Sequence, residues 1–303
     1  MIGYFRRVTR LVRRFALCVV LGAWGASLTG CAAPVTADRP TPPPAAPAGT
    51  ASPDTGAPVP PRPGKPRQEG RAPAAGGRAP VFSRATPRPG APVPKVVALT
   101  FDADMTADQG PRAARGERFD NPGLIEALRT LKVPSTVFMT GRWAEEYPAQ
   151  AKSIGTDPLF ETANHSYSHY AFTDDCYGLP VVARPRMLAD VQRARRAFER
   201  AGVRNTVPYF RFPGGCHDDA ALRAVAPAGV TAVQWDVVSG DAFATDAEAV
   251  AEQVLTGVQP GSLVVMHCTR SAAPVTEEAV RRIVPELRRR GYRFVKVSEL
   301  MRG

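Results

Sequence analysis

The chain has 303 residues, 44% of them apolar, with 39 basic and 28 acidic side chains, a net charge of +11 and a pI near 9.9. Much of the excess lies outside the part able to fold: residues 1–14 hold five arginines, and residues 34–94 hold eight basic against three acidic side chains. Residues 95–303 carry 26 basic and 25 acidic side chains, so the high pI gives no support to a folded nucleic-acid-binding domain.

The N-terminus reads as an export signal. Residues 1–14 are basic without an acid, residues 15–28 are uncharged and mostly apolar, and Leu28-Thr29-Gly30-Cys31 follows. A basic region, a short apolar run and small residues predict a cleaved signal over 1–30 rather than a membrane span. Leu-Thr-Gly-Cys resembles a lipobox, which makes Cys31 the expected lipidation site and new N-terminus. A simple secretory signal is the alternative. Residues 31–92 are rich in Pro, Ala and Gly, and residues 34–94 contain more than half of the 31 prolines. With too few large apolar groups to offset chain entropy, this stretch is predicted to be a disordered linker between a membrane anchor and a folded domain at 93–303. Its basic residues suit anionic lipid or wall polymers.

From residue 95 onward, β-rich apolar runs alternate with helical patterns. A strand is predicted over 96–101. Asp120-Asn121-Pro122 then supplies a cap and a first-turn proline for a helix over 122–131. A strand at Ser135–Met139, a helix at 142–154 and a short strand at 159–163 follow. An amphipathic helix at Met187–Ala201 ends at Gly202. Strands at 208–212, 230–235, 263–266 and 292–297 alternate with helices at 218–225, 246–258 and 276–290. About seven strands alternating with helices indicate a parallel α/β fold, either a barrel or an open sheet.

Two of the four histidines, His165 and His169, lie four residues apart. On a helical turn they share a face, and paired imidazoles suit zinc and its first-row neighbours. Other polar residues also follow strands: Asp102 and Asp104, then Arg211, then Asp236 and Asp241, then His267. In a βα barrel these positions gather at one mouth. Each has a structural reading, with Arg211 in a surface ion pair, His267 a satisfied core histidine, and Asp236 and Asp241 helix caps. Their shared end favours a site. Cys176, Cys216 and Cys268 permit one disulfide in an exported protein, but spacing does not choose the pair.

Five segments carry a resemblance. Thr100-Phe101-Asp102-Ala103-Asp104, His165-Ser-Tyr-Ser-His169, Arg211-Phe-Pro-Gly-Gly215, Trp235-Asp236-Val-Val-Ser-Gly-Asp241 and Val264-Val-Met-His267 together resemble the motifs of NodB-homology polysaccharide deacetylases, carbohydrate esterase family 4. The resemblance spans roughly residues 93–300. It implies a distorted (β/α)7 barrel and a divalent metal, zinc or alternatively cobalt or nickel, held by one aspartate and two histidines. It implies Asp102 as general base supported by Arg211, and His267 as general acid supported by Asp241. Three positions depart from the pattern. Ala103 stands where the second of two adjacent aspartates is usual, Gly214 where motif three usually has tyrosine, and Cys268 where an aspartate often follows the histidine. Either Asp104 supplies the carboxylate ligand, which is the favoured reading, or Asp102 contacts the metal. The three cysteines lie just beyond motifs two, three and five, and a disulfide pinning two of these loops is expected.

The expected function is metal-dependent removal of N-acetyl groups from a glycan, peptidoglycan or a chitin-like N-acetylglucosamine polymer. An O-acetyl xylan esterase and an inactive glycan-binding domain are the alternatives. The expected partners are an N-acetylated glycan and, through the N-terminal lipid, the outer face of the cell membrane, with secretion if Cys31 is not modified. No nucleic-acid partner and a monomer are expected.

Overall fold

The computed structural model describes residues 77–87, 90 and 92–302. The expected signal, Cys31 and most of the expected linker lie outside the described residues. The sheet is parallel throughout, and β2 (Val96–Ala103) lies near its middle, buried along its whole length. Its side chains alternate between two apolar compartments, as the two-residue period of a strand requires. Val96 and Ala98 enter an inner cluster with Phe138, Ala163, Val233 and Leu263. Val97, Leu99, Phe101 and Ala103 enter an outer cluster with helix residues such as Leu124, Leu128, Val254 and Ile283.

The other strands are β1 (Val81–Phe82), β3 (Ser135–Met139), β4 (Phe160–Asn164), β5 (Thr206–Phe210), β6 (Thr231–Val233), β7 (Val237–Val238), β8 (Ser262–His267) and β9 (Arg293–Phe294). The sheet order is β1-β6-β5-β4-β3-β2-β8-β7, with β9 added beside β2. β6 and β7 therefore stand toward opposite ends of the order although only residues 234–236 join them. Three residues span no more than about 14 Å, so the sheet must curl until its ends approach. The expected distorted barrel takes this form: the chain itself bridges the two ends, where no ladder between β6 and β7 exists among the described residues.

Helices α1 (Gly110–Ala114), α2 (Pro122–Thr130), α3 (Gly141–Glu146), α4 (Pro148–Gly155), α5 (Met187–Ala201), α6 (Asp219–Val225), α7 (Ala247–Gly257), α8 (Thr276–Arg289) and α9 (Val297–Arg302) complete the fold. Asn121 caps α2 through Leu124 N–H, and Asp218 caps α6 through Ala221 N–H. The single helix expected over 142–154 is two, α3 and α4. Pro148 has no N–H to continue the first, and Tyr147 before it leaves helical geometry (φ −121°, ψ 57°). The strand expected over 292–297 is only β9, after which α9 begins. Glu161 accepts the Ser298 N–H at 3.0 Å and the Thr136 hydroxyl at 2.8 Å, and Thr136 accepts the Val297 N–H at 2.9 Å. α9 is thus capped from inside the sheet, and Val297 and Leu300 join the inner cluster at its floor.

The folded part, expected to start at residue 93, already includes Val81 and Phe82. β1 pairs with β6, matching Val81 to Ala232 and Phe82 to Val233. Ala79 and Ala85 are buried. Two short apolar residues among prolines gave no strand signal, because β1 forms only against an existing edge. Ala232 N–H donates to Pro80 O and Gln234 N–H to Phe82 O, both at 2.8 Å. Ala79 N–H donates to Leu222 O at 3.1 Å and Ala85 N–H to Gly261 O at 2.9 Å. Four long-range backbone bonds plus buried apolar area predict that a chain starting at Pro94 is less stable than one starting at Gly77 by about 2–4 kcal/mol, measured by urea unfolding.

Candidate functional site

The sheet's carboxyl ends converge on one cluster. Thr100 and Asp102 follow the even-numbered, inward parity of β2, and Asp104 continues it one step beyond the strand. Ala103 points the other way, fully buried in the outer apolar cluster. A carboxylate there would enter the helix layer; at 104 it enters the barrel mouth.

Arg211 follows β5 and is fully buried. Its Nη1 donates to Asp102 Oδ1 at 2.6 Å, Nη2 to Thr100 Oγ1 at 2.9 Å and Nε to Val233 O at 3.2 Å. The guanidinium lies over the Phe138 ring, 3.9 Å from its centre, which forms the floor beneath it. Thr100 passes its own hydroxyl proton to Val264 O at 2.7 Å. Burial alone would raise the Asp102 pKa, but the Arg211 guanidinium, with His267 beside it, outweighs burial and holds the carboxyl below its usual value. Arg211 is therefore an internal strut and not the partner of a surface carboxylate.

His165 and His169 meet by a different route from the helical turn anticipated. Residues 165–170 form no helix. Ser166 and His169 take left-handed backbone angles (φ 70° and 56°), folding the loop until the two rings are 5.0 Å apart. The loop is held from both sides. Asn164 Oδ1 accepts the Ser166 N–H at 2.9 Å, Asp190 Oδ1 accepts the Tyr167 N–H at 2.7 Å, and Ser166 O receives the Gly141 N–H at 2.9 Å. Gly141 is required at that contact, since a β-carbon would lie 2.8 Å from the Ala194 backbone and 2.6 Å from the Tyr167 ring.

His165 Nδ1 lies 2.9 Å from Arg211 O. A carbonyl only accepts, so Nδ1 donates to it, and Nε2 is the ring nitrogen turned toward Asp102 and Asp104. That Nε2 is 3.8 Å from Asp104 Oδ1 and 3.7 Å from Asp102 Oδ2. Burial pulls the His169 pKa down to about 4, so this imidazole is neutral near pH 7. Ligand atoms of Asp104, His165 and His169 all lie within 4.8 Å of one another. Asp104 Oδ1 is buried yet has no hydrogen-bond partner. A buried carboxylate oxygen left unpaired beside two imidazoles fits a cation. Two ligands each about 2.1 Å from one ion can be no more than about 4.2 Å apart. The 3.8 Å between Asp104 and His165 falls inside that limit.

The neighbouring strand β8, which sets His267 in register with Asp102, holds an ion pair. Asp241 Oδ1 lies 2.8 Å from His267 Nδ1, and Asp241 Oδ2 accepts the His267 backbone N–H at 2.7 Å. Ser239 and Thr276 hydroxyls donate to the same carboxylate at 2.9 and 2.7 Å. Burial pulls the His267 pKa down, but Asp241 overrides it and pushes it up to about 10. Nδ1 is committed to Asp241, so Nε2–H is the proton the ring can give. Thr276 carried no sequence signal, being merely the start of α8. Thr100 was legible as the inward neighbour of Asp102.

One expectation is corrected here. Asp236 does not reach the mouth; it takes the Leu263 N–H at 2.6 Å and the Ser262 hydroxyl at 2.8 Å, clamping the start of β8. The expected disulfide joins two of the three cysteine loops. Cys176 and Cys216 form a disulfide that ties the loop after His169 to the loop after Arg211, whereas Cys268 is free and buried, its pKa pushed up to about 12 by burial. A thiol so disposed is neither a redox partner nor a ready ligand.

Comparison with known proteins accords with this geometry. Residues 90–233 match the polysaccharide deacetylase family model. The chain carries a polysaccharide deacetylase domain. It is 28% identical over 210 residues to a peptidoglycan-N-acetylglucosamine deacetylase of Bacillus cereus, covering 69% of this chain and 89% of that one. It is 28% identical over 221 residues to a chitooligosaccharide deacetylase of Sinorhizobium fredii, covering 70% and 94%. Among solved structures it resembles a CE4 family pseudoenzyme from Bacillus anthracis, with a TM-score of 0.56 and 25% identity over 73% of this chain and 69% of that one.

The deacetylase domain depends on Arg211 for more than charge. Arg211→Met would leave Asp102 buried without its counter-charge and raise its pKa. The expected cost is about 3–5 kcal/mol of unfolding free energy, and Arg211→Lys should not restore it, because one ammonium cannot reach Asp102, Thr100 and Val233 O together. Denaturant titration of the two variants checks this.

Proposed function

We propose that the domain hydrolyses N-acetyl groups on a wall or extracellular polysaccharide of N-acetylglucosamine type, releasing acetate. The observation that carries this reading is the placing of Asp102, kept ionised, and His267, kept protonated, in register at the ends of the neighbouring strands β2 and β8. Amide hydrolysis needs both: a base to take the proton of the attacking water, and an acid for a nitrogen too basic to leave as an anion. Asp102 takes the first role, held by Arg211, with Oδ2 free toward the mouth. His267 takes the second through Nε2–H, with Asp241 fixing its ring and charge. Asp104, His165 and His169 would hold a divalent cation, zinc, cobalt or nickel by the chemistry of one carboxylate and two imidazoles. Bound there, the cation supplies Lewis-acid polarisation of the acetyl carbonyl and eases deprotonation of water.

The Bacillus cereus and Sinorhizobium fredii relatives are deacetylases of peptidoglycan and chitooligosaccharide, which supports the substrate class. The N-terminal sequence pattern and the Cys176–Cys216 disulfide support export, with Cys31 as lipid anchor on the outer face of the membrane. A second reading is an inactive glycan-binding domain. Ala103 at the usual ligand aspartate favours it, as does a pseudoenzyme among the structural neighbours. The buried Asp241–His267 pair weighs against it, since binding alone needs no acid.

Acetate release from peptidoglycan and chitin oligosaccharides should vanish with a chelator and return with zinc, cobalt or nickel. Asp102→Asn should retain metal but lose at least about a hundredfold in kcat, whereas Asp104→Asn should lose metal, read by equilibrium dialysis. Metal loss with Asp102→Asn and retention with Asp104→Asn would reverse the assignment. No release by wild type from any acetylated glycan would favour the binding domain.

The Asp241 charge raises the His267 pKa, so the acid form persists to high pH. Asp241→Asn removes that charge and lowers the pKa, and the alkaline limb of the kcat/KM profile should move to lower pH. An unmoved limb would exclude His267 as the acid.

A further inference from the structure

Tyr177 and Phe243 are the most exposed large apolar side chains among the described residues, at 87% and 83%. Both also hold left-handed backbone angles, φ 52° and 60°, a conformation that bulky residues rarely adopt. Solvent-facing aromatics kept in strained backbone are poor candidates for folding determinants, and such strain concentrates at ligand clamps.

Both sit in loops that follow residues of the site. Tyr177 follows Cys176, whose disulfide partner Cys216 lies five residues after Arg211. The loop from 171 to 182 is closed at its base by Ala171 N–H to Pro180 O at 2.7 Å and Val182 N–H to Ala171 O at 2.9 Å, so the disulfide fixes its tip. There the chain rests on Gly214: a β-carbon at 214 would lie 2.6 Å from Cys176 Sγ and 3.3 Å from the Tyr177 ring. Gly215 in turn packs under Trp235, whose ring centre is 5.4 Å from the Arg211 guanidinium. Tyr177 thereby stands beside the Gly214–Gly215 turn that follows Arg211. Phe243 lies two residues after Asp241, in a turn closed by Ala244 N–H to Asp241 O at 3.1 Å. In sheet order, β4 and β5 feed the Tyr177 side, β7 and β8 the Phe243 side, and β2 with Asp102 stands between them.

We infer that Tyr177, held by the Cys176–Cys216 disulfide, and Phe243 are stacking platforms for pyranose rings on either side of the reacting sugar, so that the domain selects an extended glycan over a disaccharide. The inference rests on the glycan-deacetylase reading of the site. A pyranose presents an axial C–H face that an exposed aromatic ring covers without hydrogen-bond readout, and a tyrosine or phenylalanine does so with few torsions to freeze. The disulfide is a positioning element: it touches no sugar and acts by fixing where Tyr177 stands.

The test uses the full chain, oxidised, with a β-1,4-linked N-acetylglucosamine hexasaccharide and the disaccharide. Affinity is measured by calorimetry on metal-stripped protein and steady-state kinetics on metal-loaded protein. Tyr177→Ala should weaken hexasaccharide binding about fivefold and raise KM to match while kcat holds, with little change for the disaccharide; Tyr177→Phe should restore wild-type values. Phe243→Ala should act in the same direction. The Cys176→Ser/Cys216→Ser variant should lose the same factor, and adding Tyr177→Ala to it should cost nothing more. Unchanged hexasaccharide affinity in Tyr177→Ala and Phe243→Ala overturns the platforms, as does an equal loss for both sugars. Additive losses from the cysteine pair and Tyr177 overturn the positioning role. Absence of acetate release by wild type would defeat the catalytic reading alone, because the calorimetric comparison stands without turnover.

Discussion

The buried pairing of Arg211 with Asp102 is the constraint on which the rest of the site depends. One guanidinium reaches β2 through Asp102 and Thr100 and β6 through Val233 O, while the same residue's carbonyl fixes His165 at the end of β4. Its backbone N–H also donates to Asn164 O. Asp102, the candidate ligand His165 and the barrel interior are therefore registered by a single side chain and its peptide units. A fully buried arginine is costly to desolvate, and only a partner of opposite charge with every donor satisfied offsets that cost. The arrangement is consequently intolerant of partial change, which is also what keeps Asp102 ionised next to a second carboxylate.

Strand parity explains how a displaced aspartate can serve. In a two-residue period, 102 and 104 share the inner face, and 103 shares the outer face with Leu99 and Phe101. Adjacent aspartates would need a backbone twist to bring both carboxylates inward. An Asp-Ala-Asp sequence needs none so long as extended geometry persists through the end of β2. Thr269 sustains it by accepting the Asp104 N–H at 3.0 Å. Ala103, which as a motif departure suggests a dead site, is the residue a buried outer position accepts without cost. The one-residue shift thus preserves an inward carboxylate, and the unpaired Asp104 Oδ1 is its consequence.

How much could be read from the sequence divides along the range of the interactions. Strands and helices whose periodicity and caps are local, such as Ser135–Met139 and Met187–Ala201, stand where expected. Residues at strand ends were legible too, since an alternating α/β chain sends them to one mouth. What was hidden depends on partners distant in the chain. β1 exists only because β6 offers an edge, and α9 begins only because Glu161 and Thr136 cap it from inside. The helix break at Pro148 was local and legible, but strong helical spacing on both sides masked it. His165 and His169 were correctly placed near each other for the wrong reason: positive φ at Ser166 and His169, not a helical turn, folds the loop. Asp236 stood in a resembling motif yet serves β8, because position along a strand end does not say which way the chain turns next.

The two carboxylate pairs of the mouth show how one fold gives like residues different surroundings. Asp102 and Asp241 are both buried and both held below the ordinary carboxyl range, and burial opposes ionisation in each case. They differ in what neutralises them. Asp102 meets a guanidinium that does not lose its proton, so its second oxygen stays basic toward the mouth. Asp241 meets an imidazole that can, and two hydroxyls with a backbone N–H saturate its oxygens. The charge of Asp241 is therefore expressed through His267, as a retained proton, whereas that of Asp102 remains its own. Similar residues thus hold different charge states in their partners, because one is paired with arginine and the other with histidine. The chemistry of the site follows from that choice of partners more than from the carboxylates themselves.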